Sequence, residues 1–201
     1  KTLPMCALLV SPLTDLARKK EHYPEELKSD FLPLEAIEAS TKYYTQGEDP
    51  KNPLISPKYG SLHALPPILI QAGENELLAR DSIECARRLE AYGGIVQLEL
   101  YPEMPHIFPM LAPLGLEDAR AAIARQAEFV EEVRHGKEEL LGKKVKVLVH
   151  DKRTRSYEDL STAAVSGRRV RKMSMVVSTP DMQKTSKSAM VAQKRPGSRR
   201  Q

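Results

Sequence analysis

Hydrophobic and polar positions in the first 135 residues follow two periods, and each period predicts one type of element. Short, nearly continuous apolar runs have the length of buried strands. Longer segments that repeat an apolar residue every three or four positions are typical of helices with one buried face. The predicted strands are residues 6–10, 68–71 and 96–100, and the predicted helices are residues 33–44, 80–92 and 117–134.

Strands that are separated by a helical crossover of a dozen or more residues run parallel. The order of elements therefore predicts an α/β fold with a doubly wound parallel sheet, of which this chain supplies part. The sequence also predicts how the third strand and the last helix are buried. Val96, Leu98 and Leu100 alternate with Gln97 and Glu99, which predicts a strand near the sheet edge with one face in water. The side chains that we expect on the buried face of the last helix are Ala119, Ile123, Ala127, Val130 and Val133.

Two polar residues with catalytic character follow the second and third strands. Glu76 lies in the loop after residues 68–71, and His106 lies in the loop after residues 96–100. Because the loops that follow parallel neighbours open on the same sheet edge, a carboxylate there can reach an imidazole, as in the acid and base of a hydrolytic triad. Two other carboxylates compete for the acid's role, namely Glu74 and Asp81, although Asp81 also has the position of an N-cap for the following helix.

Four stretches around these residues carry a resemblance to a known family. They are LLVSPLTDL at 8–16, DPKNPLISPKYG at 49–60, LPPILIQAGENE at 65–76 and YPEMPHIF at 101–108. In this order and spacing the chain resembles, from about residue 3 to about residue 133, the alpha/beta-hydrolase fold-3 family, the hormone-sensitive-lipase-like carboxylesterases. The resemblance implies a triad in the order Ser, Asp or Glu, then His. It selects Glu76 as the acid, three residues after the glycine that ends the strand, and His106 as the base.

The first member of that triad is missing from the sequence. The chain contains neither Gly-x-Ser-x-Gly nor a His-Gly-Gly run for the oxyanion hole, and in the family both motifs lie upstream of the point where this chain begins. We therefore expect the C-terminal part of a carboxylic ester hydrolase, inactive and poorly stable alone, either as a fragmentary record or as a truncated product. Ser11 is rejected as a substitute nucleophile, because Pro12 follows it and no glycine-flanked turn presents its hydroxyl. Asp15 is interpreted as structural.

Charge divides the chain into two predicted regions. Residues 1–135 carry 14 lysines and arginines against 21 acidic residues, whereas residues 136–201 carry 17 against 6, a net charge of +11. The first region is interpreted as the C-terminal portion of the hydrolase domain. The second is Ser-, Lys- and Arg-rich and is predicted to be a largely disordered tail, although residues 144–150 alternate as a strand would.

These observations limit the partners that the sequence predicts. A small hydrophobic ester is the expected substrate, and the missing N-terminal half of the same domain is the expected structural partner. Basic clusters at 168–172 and 194–200 suit a weak anionic partner, so the alternative function is a non-catalytic, truncated hydrolase that binds or regulates through its tail.

The sequence predicts no cofactor or metal site. Cys6 and Cys85 have no zinc-ligand spacing and are interpreted as buried free thiols. No apolar run approaches the roughly 20 residues that span a bilayer, so this chain is expected to carry no transmembrane segment. The sequence does not determine the compartment.

Overall fold

The computed structural model describes residues 3–23, 30–136, 145–151 and 156–159, the last two ranges by their backbone. The strands are β1 (Ala7–Val10), β2 (Ile68–Gly73), β3 (Val96–Tyr101), β4 (Val145–Asp151) and β5 (Ser156–Asp159). The helices are α1 (Leu34–Thr45), α2 (Ala79–Ala91) and α3 (Glu117–Arg134), and short 3-10 turns occupy Lys20–His22, Pro57–Tyr59 and Phe108–Leu114. The three predicted helices therefore agree with the observed ones to within about a residue at each end.

The described strands form one sheet in the order β1-β2-β3-β4-β5. β1, β2, β3 and β4 run parallel, and β5 returns antiparallel to β4. Val10 pairs with Gln71, and Gly73 pairs with Tyr101, so the first three strands end at the same edge. The parallel sheet that the crossovers predicted is confirmed, and this edge receives the loops that carry the candidate residues.

The sheet continues beyond residue 135. β4 coincides with residues 144–150, whose alternating pattern was compatible with a strand. Its residues pair in register with β3 from Val96↔Val145 to Leu100↔Val149. Most of the remaining predicted tail, including both basic clusters, lies outside the described residues. Its predicted disorder and the division at residue 135 stay predictions.

The expectation that β3 has a wet face is wrong. All six of its residues are buried, with Gln97 3% and Glu99 0% exposed. The polar side chains are hydrogen-bonded inside the protein instead: Arg125 of α3 donates from Nε to Glu99 (3.0 Å) and from Nη2 to Gln97 (3.0 Å), and Gln71 of β2 donates to Glu99 (2.8 Å). Because α3 covers this face and supplies a cation, alternation here marks a buried polar network rather than a solvent boundary.

The predicted buried face of α3 is wrong in two of its five members, and Val130 and Val133 are half-buried. Ala119 is buried as expected, but Ile123 is 45% exposed and Ala127 is exposed, and the other buried residues are Ala122, Arg125 and Phe129. The helix packs Ala119 and Ala122 against a cluster that contains Tyr101, Met104 and Phe108. Small side chains let the two aromatic rings, 4.6 Å apart, lie against the helix, and the pairing of Arg125 with Glu99 fixes the same rotation.

Two local features agree with the sequence. Gly93 ends α2 with a φ of 76°, a left-handed conformation that favours glycine. Cys6 and Cys85 are free thiols, as expected, but each is half-buried rather than buried. Within the described ranges, no helix combines the length and the apolar character required to cross a bilayer.

Candidate active site

Three loops meet at the edge where β1, β2 and β3 end. Ser11 follows β1 directly, Glu76 lies three residues after the end of β2, and His106 lies five residues after the end of β3. The structure thus brings the predicted acid and base to one edge of the sheet. The nearest approach of Glu76 to His106 is 3.9 Å, from Oε2 to Nδ1.

Glu76 is an almost fully buried carboxyl group, 2% exposed. Its Oε2 accepts hydrogen bonds from the Ser11 hydroxyl (2.7 Å) and the Gly73 N–H (3.3 Å), whereas its Oε1 has no partner among the described residues. Burial is the main cause that raises the pKa of Glu76 to about 8. The charges of Asp30 and Asp81 also raise this pKa, whereas the two hydrogen bonds lower it. The group therefore favours its protonated form at neutral pH until a cation approaches it.

His106 is held mainly through its backbone. Its N–H donates to Asp30 Oδ1 (3.0 Å), while its ring Nδ1 is buried and has no hydrogen-bond partner within the described part of the chain. Burial lowers the pKa of His106, and the Asp30 charge opposes that shift. The 3.9 Å separation from Glu76 is longer than a hydrogen bond. His106 Nδ1 and Glu76 Oε1 both lack a partner in the described residues, so a small movement can join them by a hydrogen bond. Long contacts of this kind are common in catalytic sites without ligand.

A close backbone approach fixes the loop that carries His106. A Cβ on Gly73 would overlap the carbonyl oxygen of Met104, so only glycine permits the end of β2 to pack on residues 104–105. Glu103 and Ile107, on either side of His106, adopt φ angles of 61° and 46°. A left-handed conformation is a genuine outlier for β-branched Ile107, and strain of this kind persists only where surrounding contacts determine the backbone.

Ser11 supplies one of those contacts. Its hydroxyl accepts the N–H of Ile107 (3.0 Å) while it donates to Glu76, so it connects the acid to the loop of the base. Ser11 is only 3% exposed, and both hydrogen bonds engage its Oγ. The hydroxyl is therefore not presented to a substrate, in agreement with its rejection as a nucleophile.

The competing carboxylates occupy other positions. Asp81 accepts hydrogen bonds from the Thr14 N–H, the Thr14 hydroxyl and the Asp15 N–H (3.0–3.1 Å), and it lies 2.8 Å from Arg18 Nη1. The N-cap interpretation of Asp81 is wrong, because α2 is preceded by Leu78 and has no side-chain cap. Glu74 is half-buried in the same turn as Glu76.

Asp15 has a structural role, as its sequence context indicated. It accepts hydrogen bonds from Lys58 Nζ (2.7 Å), the Tyr59 hydroxyl (3.0 Å) and the Ala17 N–H (3.1 Å). These contacts attach the loop after β1 to the proline-rich segment before β2.

Asp30 is a functional candidate that sequence reasoning missed. It lies in the polar segment 14–31, which reads as an exposed connection, yet its carboxylate accepts N–H groups from Leu32, Leu77 and His106 (2.9–3.3 Å). The only signal in the sequence is an acidic residue directly before the apolar pair Phe31 and Leu32. Since all three donors are backbone groups, no pattern of side chains reveals the contact.

No cluster of three or more histidine, cysteine or acidic side chains suited to a metal ion occurs in the described ranges. The site presents a buried carboxyl group next to an imidazole, at the end of parallel strands.

The chain is similar to known proteins over its first two thirds. A family sequence model described as alpha/beta hydrolase fold matches residues 1–110. An acetyl-hydrolase of Streptomyces hygroscopicus is 33% identical over 129 residues, which cover 64% of this chain and 43% of that protein. An esterase of Acinetobacter venetianus is 34% identical over 129 residues, which cover 63% and 42%.

Solved structures agree with these relatives. An esterase from the bacterial hormone-sensitive lipase family matches with a TM-score of 0.62 and 32% identity, covering 66% of this chain and 44% of that one. A hormone-sensitive lipase from a metagenome library matches with a TM-score of 0.59 and 34% identity, covering 64% and 44%. The chain thus spans less than half the length of the relatives that it matches.

Proposed function

Because the chain belongs to the alpha/beta hydrolase fold family, we propose that it contributes the acid and the base of a carboxylic ester hydrolase. Glu76 is the acid and His106 is the base. The observation that carries the proposal is the approach of a buried carboxyl group to within 3.9 Å of an imidazole at the edge where the parallel strands end. The names of the relatives, an acetyl-hydrolase and esterases, favour an ester substrate for this chain as well.

The electrostatics of the pair suit general base catalysis. Burial raises the pKa of Glu76 and lowers that of His106, so each group alone favours its neutral form. Glu76 acts as a carboxylate, so it first releases its proton to solvent. When His106 then takes the proton of a serine hydroxyl, the Glu76 carboxylate stabilises the imidazolium, and the imidazolium stabilises the carboxylate. His106 then gives that proton to the leaving alcohol as the tetrahedral intermediate collapses to the acyl-enzyme.

The proposed mechanism needs a serine nucleophile, and the family's Gly-x-Ser-x-Gly motif does not occur in these 201 residues. We propose that it is carried by an N-terminal half of the same domain, which also supplies the oxyanion hole. β1 is hydrogen-bonded to β2 alone among the described strands, so its other side is open to a further strand. Leu8 in β1 and Met5 just before it are 39% and 48% exposed, and apolar side chains beside an open strand edge are what a missing part of the sheet would cover.

Hydrolysis of p-nitrophenyl butyrate tests the proposal in two proteins, the printed chain and the same chain preceded by in-frame upstream sequence. The printed chain should give background rates. The extended protein should turn over, with His106→Ala returning it to background and Glu76→Gln lowering kcat by about 10³- to 10⁴-fold. His63→Ala, which removes an exposed histidine that contacts Tyr92, is the matched control.

Two outcomes would contradict this assignment. Activity of the printed chain that disappears in His106→Ala would mean that the nucleophile lies within these residues. Activity of the extended protein that survives in His106→Ala would remove the base from the mechanism.

A second candidate function rests on the charge of residues 136–201. Seventeen basic residues against six acidic ones favour an anionic partner, so we propose weak, salt-dependent binding as the function of a chain that lacks catalysis. Retention on heparin that falls with rising salt, and is lost when residues 160–201 are deleted, supports this candidate. Equal retention of the shortened chain argues against it.

A further inference from the structure

Asp30 connects both loops that carry the proposed acid and base. Its Oδ2 accepts the N–H of Leu77 (2.9 Å), the residue directly after Glu76, and its Oδ1 accepts the N–H of His106 itself (3.0 Å). Oδ1 also accepts the N–H of Leu32 (3.3 Å), which orients the carboxylate on its own segment. One side chain therefore fixes the positions of two loops that are 47 and 76 residues away from it in the chain.

We propose that Asp30 is the positioning residue of this site: its carboxylate sets the separation of Glu76 from His106. The inference rests on the proposed function and names a further residue for the same reaction. Asp30 touches the backbone of both loops and needs no contact with a substrate, so it acts through Glu76 and His106.

The strain in the base-carrying loop makes such a clamp necessary. Ile107, next to His106, has a φ of 46°, a conformation that an isoleucine leaves when nothing holds it. Ser11 holds the N–H of Ile107, and Asp30 holds the N–H of His106. Ser11 also bonds the Glu76 side chain, whereas Asp30 binds the backbone of both loops, at Leu77 and His106. Loss of the Asp30 carboxylate should therefore change the distance between Glu76 and His106.

A carboxylate suits this position better than an amide. Three N–H donors converge on two oxygens, and an asparagine would present an NH₂ group to one of them. A carboxylate also places a negative charge beside the imidazole. In the described residues the charged or titratable groups that face His106 are Asp30, from the connection before α1, and Glu76, from the loop after β2.

The charge of Asp30 gives the proposal a signature that a purely structural contact lacks. Asp30 raises the pKa of His106 against the effect of burial. Asp30→Asn should therefore lower the pKa of His106, and the acidic limb of the kcat/KM profile should move to lower pH. Simple opening of the loop would admit water, relieve the burial and raise the pKa instead.

The experiment combines NMR titration with kinetics. The ring signals of His106, assigned by their loss in His106→Ala, are titrated in the printed chain with and without Asp30→Asn. Kinetics on p-nitrophenyl butyrate use the active, extended protein. Asp30→Asn should lower kcat by about 10- to 100-fold with little change in KM, because misplacement of catalytic groups by an ångström costs about that much.

Two further variants separate geometry from charge. Asp30→Glu keeps the charge but lengthens the side chain, so it should lower kcat while the pKa of His106 stays near its wild-type value. Asp49→Asn is the matched control, since Asp49 is an exposed aspartate that accepts one backbone N–H, that of Lys51 (2.9 Å), in its own loop. It should change neither quantity.

Several results would overturn the proposal. A pKa of His106 that is unchanged or higher in Asp30→Asn removes the electrostatic part, and wild-type kcat in both Asp30 variants removes the positioning part. If Asp30→Asn does not fold, the kcat of Asp30→Glu decides alone. If the extended wild-type protein has no esterase activity, the proposed function fails, whereas the titration in the printed chain still tests Asp30.

Discussion

Replacing Glu76 by glutamine should stabilise the folded chain increasingly as the pH rises from 5 to 8. Burial raises the pKa of the Glu76 carboxyl from 4.5 to about 8. Below pH 4.5 the group is protonated in both folded and unfolded chains, so its full contribution to stability is present. Between the two pKa values the unfolded chain releases the proton and the folded chain keeps it, which lowers the free energy of unfolding by about 1.4 kcal/mol per pH unit.

The magnitude follows from that shift. Relative to Glu76→Gln, the wild type should lose about 3 kcal/mol by pH 7 and up to about 5 kcal/mol above pH 8. Glutamine keeps an oxygen that accepts the hydrogen bonds of Ser11 and Gly73 and has no proton to release in this range. In the extended protein the same substitution should lower kcat, because an amide cannot stabilise the imidazolium as a carboxylate does. The acid thus costs stability where it serves catalysis.

Urea unfolding, monitored by circular dichroism at pH 5, 6, 7 and 8, measures this difference. Glu99, another buried carboxyl group whose pKa burial raises, titrates in both proteins and cancels in the comparison. Glu74→Gln removes a less buried carboxyl group from the same turn and should follow the wild type. A stability difference between wild type and Glu76→Gln that stays constant from pH 5 to 8 would refute the reasoning.

Two further substitutions test the contacts that support the site and the sheet. Gly73→Ala should lower the free energy of unfolding, measured in urea, by about 3 kcal/mol, because the new methyl group overlaps Met104. It should also abolish the activity of the extended protein. Unchanged stability would contradict the close approach of Gly73 to Met104. Arg125→Met should cost about 3–5 kcal/mol in the same assay, because Glu99 loses its buried cation. Arg134→Met, at an exposed pair with Glu131, should leave the stability nearly unchanged because exposed ion pairs contribute little. Similar losses in both arginine variants would argue against a buried network.

The sequence by itself determined the three helices, the first three strands with their parallel order, and the family, whereas β5 was not predicted. Strands and helices are encoded locally, because burial of one face imposes a period of two or of about 3.6 on neighbouring residues. The strand runs before Ser11 and before Glu76 and the glycine that closes α2 are signals of this kind, and each lies where the pattern predicted it. Chain order also assigned Glu76 and His106 to one edge of the sheet before any distance between them was known.

Only the tertiary structure decided which polar groups are buried and what satisfies them. A polar residue in a strand gives the same sequence pattern whether it binds water or another side chain. Only the packing of α3 on the sheet places Arg125 beside Glu99. The same holds for Asp30, whose donors are backbone N–H groups of segments distant in the chain. Backbone groups are identical in every sequence, and their convergence on one carboxylate is therefore a property of the fold.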